Sequence, residues 1–208
     1  CIGLMVNSPV KWQLVVCPKR ICSWWKEEIE KMTGEITPIV IGSVVQYRKY
    51  IQLMADNNLQ ETKTYCCILP ISWFQSHTGE DWIFSKQKWD RVFFDEGHEI
   101  FDIVCEPGHM RTYPYSKKES DTINGIYAID AECRWVVSGT PKLNMGITHF
   151  LLASFKEDIT SNTFNQIHKQ MLTDLFRKNN AKTAKIVPPK VIVTNTFIEF
   201  SPPERSIY

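Results

Sequence analysis

Five short runs of β-branched and other apolar residues, set apart by helical patterns, constrain this chain more than any other feature. They are Gln13–Cys17 (QLVVC), Pro38–Ile41 (PIVI), Cys66–Leu69 (CCIL), Arg91–Asp95 (RVFFD) and Arg134–Ser138 (RWVVS). Such uninterrupted runs read as strands buried on both faces, the pattern of a parallel sheet covered by helices on either side. Between the first two, Ser23 is a candidate N-cap. Trp25, Ile29 and Met32 then recur at i, i+4 and i+7, while Lys26, Glu27, Glu28 and Lys31 face water and Gly34 is the expected stop. Val44–Ala55 predicts a second helix, with an apolar face of Val45, Tyr47, Tyr50, Ile51 and Met54. Ile123–Ala131, Gly146–Phe155 and Thr163–Phe176 are further expected helices. Strands alternating with helices define an α/β chain with right-handed crossovers and a mostly parallel sheet.

The pattern changes near the end. Lys178–Lys190 is polar and closes on Val187-Pro188-Pro189-Lys190, a linker composition, before Val191–Phe200 resumes a strand pattern. The expected division is a domain over residues 1–177, followed by a linker and strand over 178–208. Composition agrees with a folded chain: 43% hydrophobic and 23% charged residues exclude a disordered one. No apolar run approaches the roughly 20 residues of a membrane-spanning helix. The opening Cys1-Ile2-Gly3-Leu4-Met5-Val6 lacks the basic flank and cleavage site of a signal peptide, and lacks an initiator Met. The expectation is a chain that begins partway through a longer reading frame. Seven Cys at irregular spacing, with Cys17, Cys66 and Cys67 in apolar stretches, favour free thiols in a reducing, intracellular compartment. A net charge of +1 neither announces nor excludes a nucleic-acid binder, because phosphate contact depends on where Lys and Arg stand.

The sharpest chemical signal is Val92-Phe93-Phe94-Asp95-Glu96-Gly97-His98. An apolar run ending in adjacent acids sets Asp95 and Glu96 at the carboxyl end of a buried strand, where open α/β sheets bind ligands. A Walker B site needs this arrangement: Asp95 to help hold magnesium, usually through water, and Glu96 to polarise the attacking water. His98 is placed to couple such a site to another element. Alone, the tetrapeptide also fits an ordinary turn with a surface His. A second run, Arg134-Trp135-Val136-Val137 leading into Ser138-Gly139-Thr140-Pro141, is another strand leaving into a turn of hydroxyls, Gly and Pro.

In this order the residues resemble the Swi/Snf branch of superfamily-two helicases. Leu14-Val15-Val16-Cys17-Pro18-Lys19 with Trp25-Lys26-Glu27-Glu28-Ile29 is similar to its motif Ia, and Asp95-Glu96-Gly97-His98 to its motif II. Ala128–Trp135 running into Ser138-Gly139-Thr140-Pro141, with Asn144 beyond, is similar to motif III. The tail from Val187-Pro188-Pro189-Lys190 to Phe200–Tyr208 is similar to the passage out of the first lobe. The wording leans toward the helicase-like transcription factor subgroup.

The resemblance implies a RecA-like three-layer fold, a partial first lobe lacking the P-loop, and a DNA-dependent ATPase and translocase using ATP and magnesium. It implies Asp95, Glu96 and His98 as catalytic residues, and Asp95 and Glu96 at the cofactor. Lys19, Ser138 and Thr140 would contact the DNA phosphate backbone without sequence specificity. A second RecA-like lobe would be the other partner, with a nuclear location in a eukaryote or a viral replication or transcription site. Chromatin remodelling or DNA repair is the expected setting.

Departures from the family pattern matter as much. None of the nine Gly is followed by Lys, so the chain holds no Gly-Lys-Ser/Thr phosphate cradle. The expectation is that the isolated segment does not turn over ATP. Ile100 is followed by Phe101 and Asp102 where the family continues with a basic residue and Asn, and Phe101–Thr122 reads as a long surface loop. Its Arg111, Tyr113, Tyr115, Lys117 and Lys118 form an aromatic–basic mix able to touch a strand, although a solvated loop is the simpler reading. Cys105, His109 and the Cys66-Cys67 pair offer metal-ligand types without a matching second half. His77, His149 and His168 stand isolated. The rival functions are a non-catalytic nucleic-acid-binding fragment of such a protein and part of a strand-separating helicase.

Overall fold

The computed structural model describes residues 1–55, 63–75, 83–101 and 117–139, together with Ile147, Leu151, Gln166, Ile167, Lys169 and Gln170. The chain divides into two compact units, Cys1–Phe176 and Arg177–Tyr208, and the described residues all belong to the first. In chain order these are helix α1 (Ile2–Asn7), strand β1 (Trp12–Cys17), a 3₁₀ turn (Lys19–Ile21), α2 (Cys22–Met32), β2 (Ile36–Val40) and α3 (Val44–Ala55). There follow β3 (Thr64–Pro70), a second 3₁₀ turn (Ile71–Gln75), α4 (Ile83–Lys86), β4 (Trp89–Asp95), α5 (Gly97–Phe101), α6 (Lys117–Tyr127) and β5 (Ala131–Val137).

The strands form one sheet in the order β2-β3-β1-β4-β5, and every described pairing is parallel. In β1, β3 and β4 both faces are buried, and the period of two divides them cleanly. Leu14, Val16, Cys67, Leu69, Val92 and Phe94 point into one core with Tyr50 of α3, Trp73, Phe74, Phe84, Phe101 and Ile126. Val15, Cys17, Cys66, Ile68 and Phe93 point into the other with Ile2 and Met5 of α1 and Cys22, Trp25 and Ile29 of α2. Helices therefore cover both faces, giving the expected three layers. Gly125 lets α6 lie on the second 3₁₀ turn: a Cβ there would come within 2.9 Å of Phe74 Cδ1.

Several expectations need correcting. Ser23 is not the N-cap of α2. The 3₁₀ turn feeds straight into the helix, Ile21 takes the capping position, and Ser23 lies inside the first turn. Met32 is 61% exposed, because α2 ends there, one residue after Lys31, and Thr33 turns the chain away in extended conformation. The bounds of α3 match the expectation, but only Tyr50 is fully buried, while Val45 and Ile51 stay exposed. The helix expected over Ile123–Ala131 spans Lys117–Tyr127 instead, so Lys117–Thr122 is helical rather than loop, and Ala131 already begins β5.

β5 itself is not buried on both faces. It is an edge strand paired only with β4 among the described residues; Glu132 and Cys133 are exposed and Trp135 is 46% exposed. Of the two later helices, Ile147, Leu151, Gln166, Ile167, Lys169 and Gln170 are described and helical. Residues 178–208 lie outside the described residues, as do Cys105, His109, His77, His149, His168, Arg111, Tyr113, Tyr115 and Asn144.

Candidate functional site

A parallel sheet gathers the carboxyl ends of its strands along one edge, so residues far apart in sequence meet there. β4 ends at Asp95, which lies opposite Val137 of β5, so Glu96 and Ser138 leave the sheet side by side. On the other flank, Val16 of β1 lies opposite Phe94, which brings the turn after Cys17 beside Asp95.

Asp95 shares its face of the sheet with Phe93, toward α2. Its Oδ2 accepts a hydrogen bond of 2.7 Å from Trp25 Nε1, and its Oδ1 accepts one of 3.0 Å from the Glu96 backbone N–H. Glu96 has φ 54°, a left-handed conformation that side chains other than Gly seldom adopt. The sharp bend carries the chain across the sheet end, and α5 starts against the opposite face. Gly97 is required there, because an added Cβ would collide with Val136 Cγ1. Phe101 then anchors α5 in the core, its ring 5.7 Å from that of Phe94.

The bend also presents His98. Its Nδ1 shares a hydrogen bond of 2.6 Å with Ser138 Oγ and lies 3.3 Å from Glu96 Oε2. With about a quarter of His98 and a third of Glu96 exposed (26% and 32%), the cluster stands at the rim of the sheet rather than in the core. The structure thus brings Asp95, Glu96, His98 and Ser138 together. Lys19 is exposed in the 3₁₀ turn one strand away, and its neighbour Arg20 donates to Glu99 Oε1 of α5 over 3.2 Å. Thr140 lies outside the described residues.

Sequence reading missed three participants: Trp25, Arg20 and Glu99. Trp25 reads as one more apolar position of α2, and its burial fits that; only the need of a buried indole N–H for an acceptor hints at more. Nothing in the spacing names Asp95 as that acceptor. The Arg20–Glu99 ion pair likewise joins residues 79 apart in sequence. Beneath the turn, the Cys17 thiol is pushed well up by its hydrogen bond with Cys22, by burial and by the nearby Asp95 carboxylate. The Cys22 thiol is shifted down, chiefly by the same hydrogen bond, with a contribution from Lys19.

The acids offer only carboxylate oxygens, and among the described residues each Asp95 oxygen accepts a single hydrogen bond. This donor set fits magnesium, a hard cation that keeps several waters and needs one or two carboxylates. Among the described residues no group of three or more His, Cys, Asp or Glu is arranged to hold a metal by itself. A separate groove of about 560 Å³ lies between α2, β2 and α3, lined by Lys26, Pro38, Gln46, Lys49 and Tyr50 among others. It sits at the far edge of the sheet, three strands from β4, and has no part in this cluster.

Comparison with known proteins bears on the fold. A solved SWI2/SNF2 ATPase core from Sulfolobus solfataricus, in complex with double-stranded DNA, superposes with a TM-score of 0.50 over 88% of this chain and 33% of that one, at 13% identity. The sheet order, the helical layers and that likeness define an α/β lobe of the RecA-like helicase type.

The family model for the SNF2-related domain matches residues 1–208, and the chain belongs to that family. It is similar to the SWI/SNF-related matrix-associated actin-dependent regulator of chromatin subfamily A member 3-like 1 of Arabidopsis thaliana, 22% identical over 228 residues. It is also similar to the DNA repair protein RAD5 of Cryptococcus neoformans, 24% identical over 239 residues. These alignments take in 100% and 98% of this chain but only 23% and 18% of the relatives, so it spans less than a quarter of their length.

Proposed function

We propose that this chain is the downstream part of the first motor lobe of a Swi/Snf-type, DNA-dependent ATPase that moves along duplex DNA. The observation that carries the reading is the hydrogen bond of 2.6 Å between His98 and Ser138, which, with His98 Nδ1 3.3 Å from Glu96 Oε2, joins the segment after β4 to the residue that follows β5. In this reading Asp95 holds magnesium through water, with its carboxylate kept in orientation by Trp25. Glu96 accepts a hydrogen bond from the attacking water and polarises it. Magnesium-bound ATP supplies the phosphoryl group and the charge neutralisation. Lys19, Ser138 and Thr140 grip phosphates of the DNA backbone without reading bases.

His98 lies between the two functions, so a change at the acids shifts the turn that touches DNA. A second RecA-like lobe closes over the nucleotide and supplies the arginine finger, worth on the order of 10³–10⁵ in rate. Residues 178–208 serve as the passage toward that lobe. The relatives named for chromatin regulation and DNA repair support a nuclear role of that kind in a eukaryote.

The 208-residue chain holds no Gly-Lys pair, which favours a second reading for the segment taken alone: a nucleic-acid-binding piece without hydrolysis. The test is phosphate release by a two-lobed protein carrying this chain, with and without duplex DNA, beside displacement of a triplex-forming strand. Stimulation by duplex DNA with displacement of the third strand is the expected result. Separation of the duplex itself would favour a strand-separating helicase. Phosphate release by the 208-residue chain alone would contradict its expected inactivity.

A further inference from the structure

Cys17 is the last residue of β1 and Cys22 the first of α2, and the 3₁₀ turn carrying Lys19 and Arg20 is strung between them. Their sulfurs lie 3.5 Å apart, and Cys22 Sγ also approaches the Pro18 carbonyl oxygen at 3.8 Å. Cys17 is 0% and Cys22 4% exposed, so neither thiol is swinging free in solvent. A disulfide needs sulfurs about 2.05 Å apart, a closure of about 1.5 Å from where they stand.

We propose that Cys17 and Cys22 are a reversible oxidation site, closed to a disulfide by a hydroperoxide, that locks the turn carrying Lys19. Cys22 attacks first, since it lies at the outer end of the pair and its thiol is shifted toward the thiolate. Its sulfur bonds to one oxygen of hydrogen peroxide, the O–O bond breaks, and the departing hydroxide takes the Cys22 proton as water. The Cys17 sulfur then attacks the sulfur of the Cys22 sulfenic acid. The S–S bond forms, the S–O bond breaks, and hydroxide leaves with the Cys17 proton as a second water. Two thiols lose two electrons and one peroxide is reduced to two waters. A low-molecular-weight thiol reverses the change by exchange.

Cys1 and Cys133 are exposed and more accessible, but among the described residues neither has a second sulfur beside it. The short Sγ–Sγ separation, rather than accessibility, therefore selects Cys17 and Cys22. The disulfide stands without the functional reading, and only its effect on DNA rests on Lys19 contacting the backbone.

The test treats the purified 208-residue chain with graded hydrogen peroxide, blocks remaining thiols with N-ethylmaleimide in denaturant, and maps tryptic peptides by mass. Cleavage at Lys11, Lys19, Arg20 and Lys26 separates the two cysteines, so the disulfide alone holds peptides 12–19 and 21–26 together. The expected result is that linked pair as the main oxidised product, lost on adding dithiothreitol and absent from Cys22→Ser and Cys22→Ala. Blocking of both Cys17 and Cys22 after Cys1 and Cys133 have oxidised would overturn the proposal. Where the reduced chain binds duplex DNA, full linkage should weaken binding severalfold, with no change in Cys22→Ser. Equal affinity of the linked and reduced forms would overturn the locking of the turn while leaving the disulfide. Absence of DNA binding in the reduced form counts against the functional reading alone.

Discussion

At Glu96 the backbone turns left-handed at φ 54°, and the next residue must be Gly because Val136 fills the space a Cβ would need. A strained backbone beside paired acids is the kind of local cost that persists at working sites. Gly97→Ala should destabilise the chain by about 1–3 kcal/mol, through overpacking against β5. Denaturant unfolding checks this, and an unchanged midpoint would count against the tight approach of α5 to β5. Trp25→Phe keeps the ring in the second core and removes the indole N–H from Asp95. The expected loss is about 1.5–3 kcal/mol, as for hydrogen bonds to charged groups, read by the same unfolding. His98 and Ser138 should be energetically coupled: a double-mutant cycle with alanine at each, read by DNA-stimulated ATP turnover in a two-lobed protein, should show an interaction of about 0.5–3 kcal/mol. Strict additivity would mean that the short contact transmits nothing. The sequence offered Asp95, Glu96 and His98 as candidates because adjacent acids after an apolar run mark the carboxyl end of a buried strand, and β4 does end at Asp95. It left Trp25 hidden, since helical spacing reports which face is apolar and not which atom finds an acceptor across the fold.

At the scale of elements, the strands were legible to the degree that they are central. β1, β3 and β4 are buried on both faces and read as unbroken apolar runs. β2 and β5 lie at the edges, and for β5 the same kind of run misled: Arg134, Trp135 and Val136 look like interior residues, yet Trp135 is half in solvent. Short helices such as α4 and α5 escape periodicity altogether, because four or five residues make too few turns to display one. The turn between β1 and α2 carries the element-scale prediction. Lys19→Ala should weaken duplex binding evenly across sequences and lower the salt slope by about 0.9, one phosphate contact. An unchanged slope would remove Lys19 from the interface. The Arg20–Glu99 pair beside it is largely exposed and should add less than about 1 kcal/mol of stability. Its interest lies in joining the Lys19 turn to α5, which begins at the acids.

For the whole molecule, strand order was beyond reach of the sequence, since apolar runs do not say which neighbours pair. The order β2-β3-β1-β4-β5 places β4 between β1 and β5, and that alone brings the Lys19 turn, the acids and Ser138 to one rim. The chain belongs to the SNF2-related domain family, and the central proposal built on that membership and on this rim is that Asp95 and Glu96 serve as the acids of an ATP-hydrolysing motor. The most direct test is the DNA-stimulated ATP turnover of a two-lobed protein carrying this chain, compared with its Glu96→Gln variant, with nucleotide binding followed in parallel. Removing the group that polarises water while leaving its size should lower turnover by roughly 10²-fold or more, in line with general-base contributions, and leave ATP binding intact. Turnover by Glu96→Gln at the parent rate would contradict the claim.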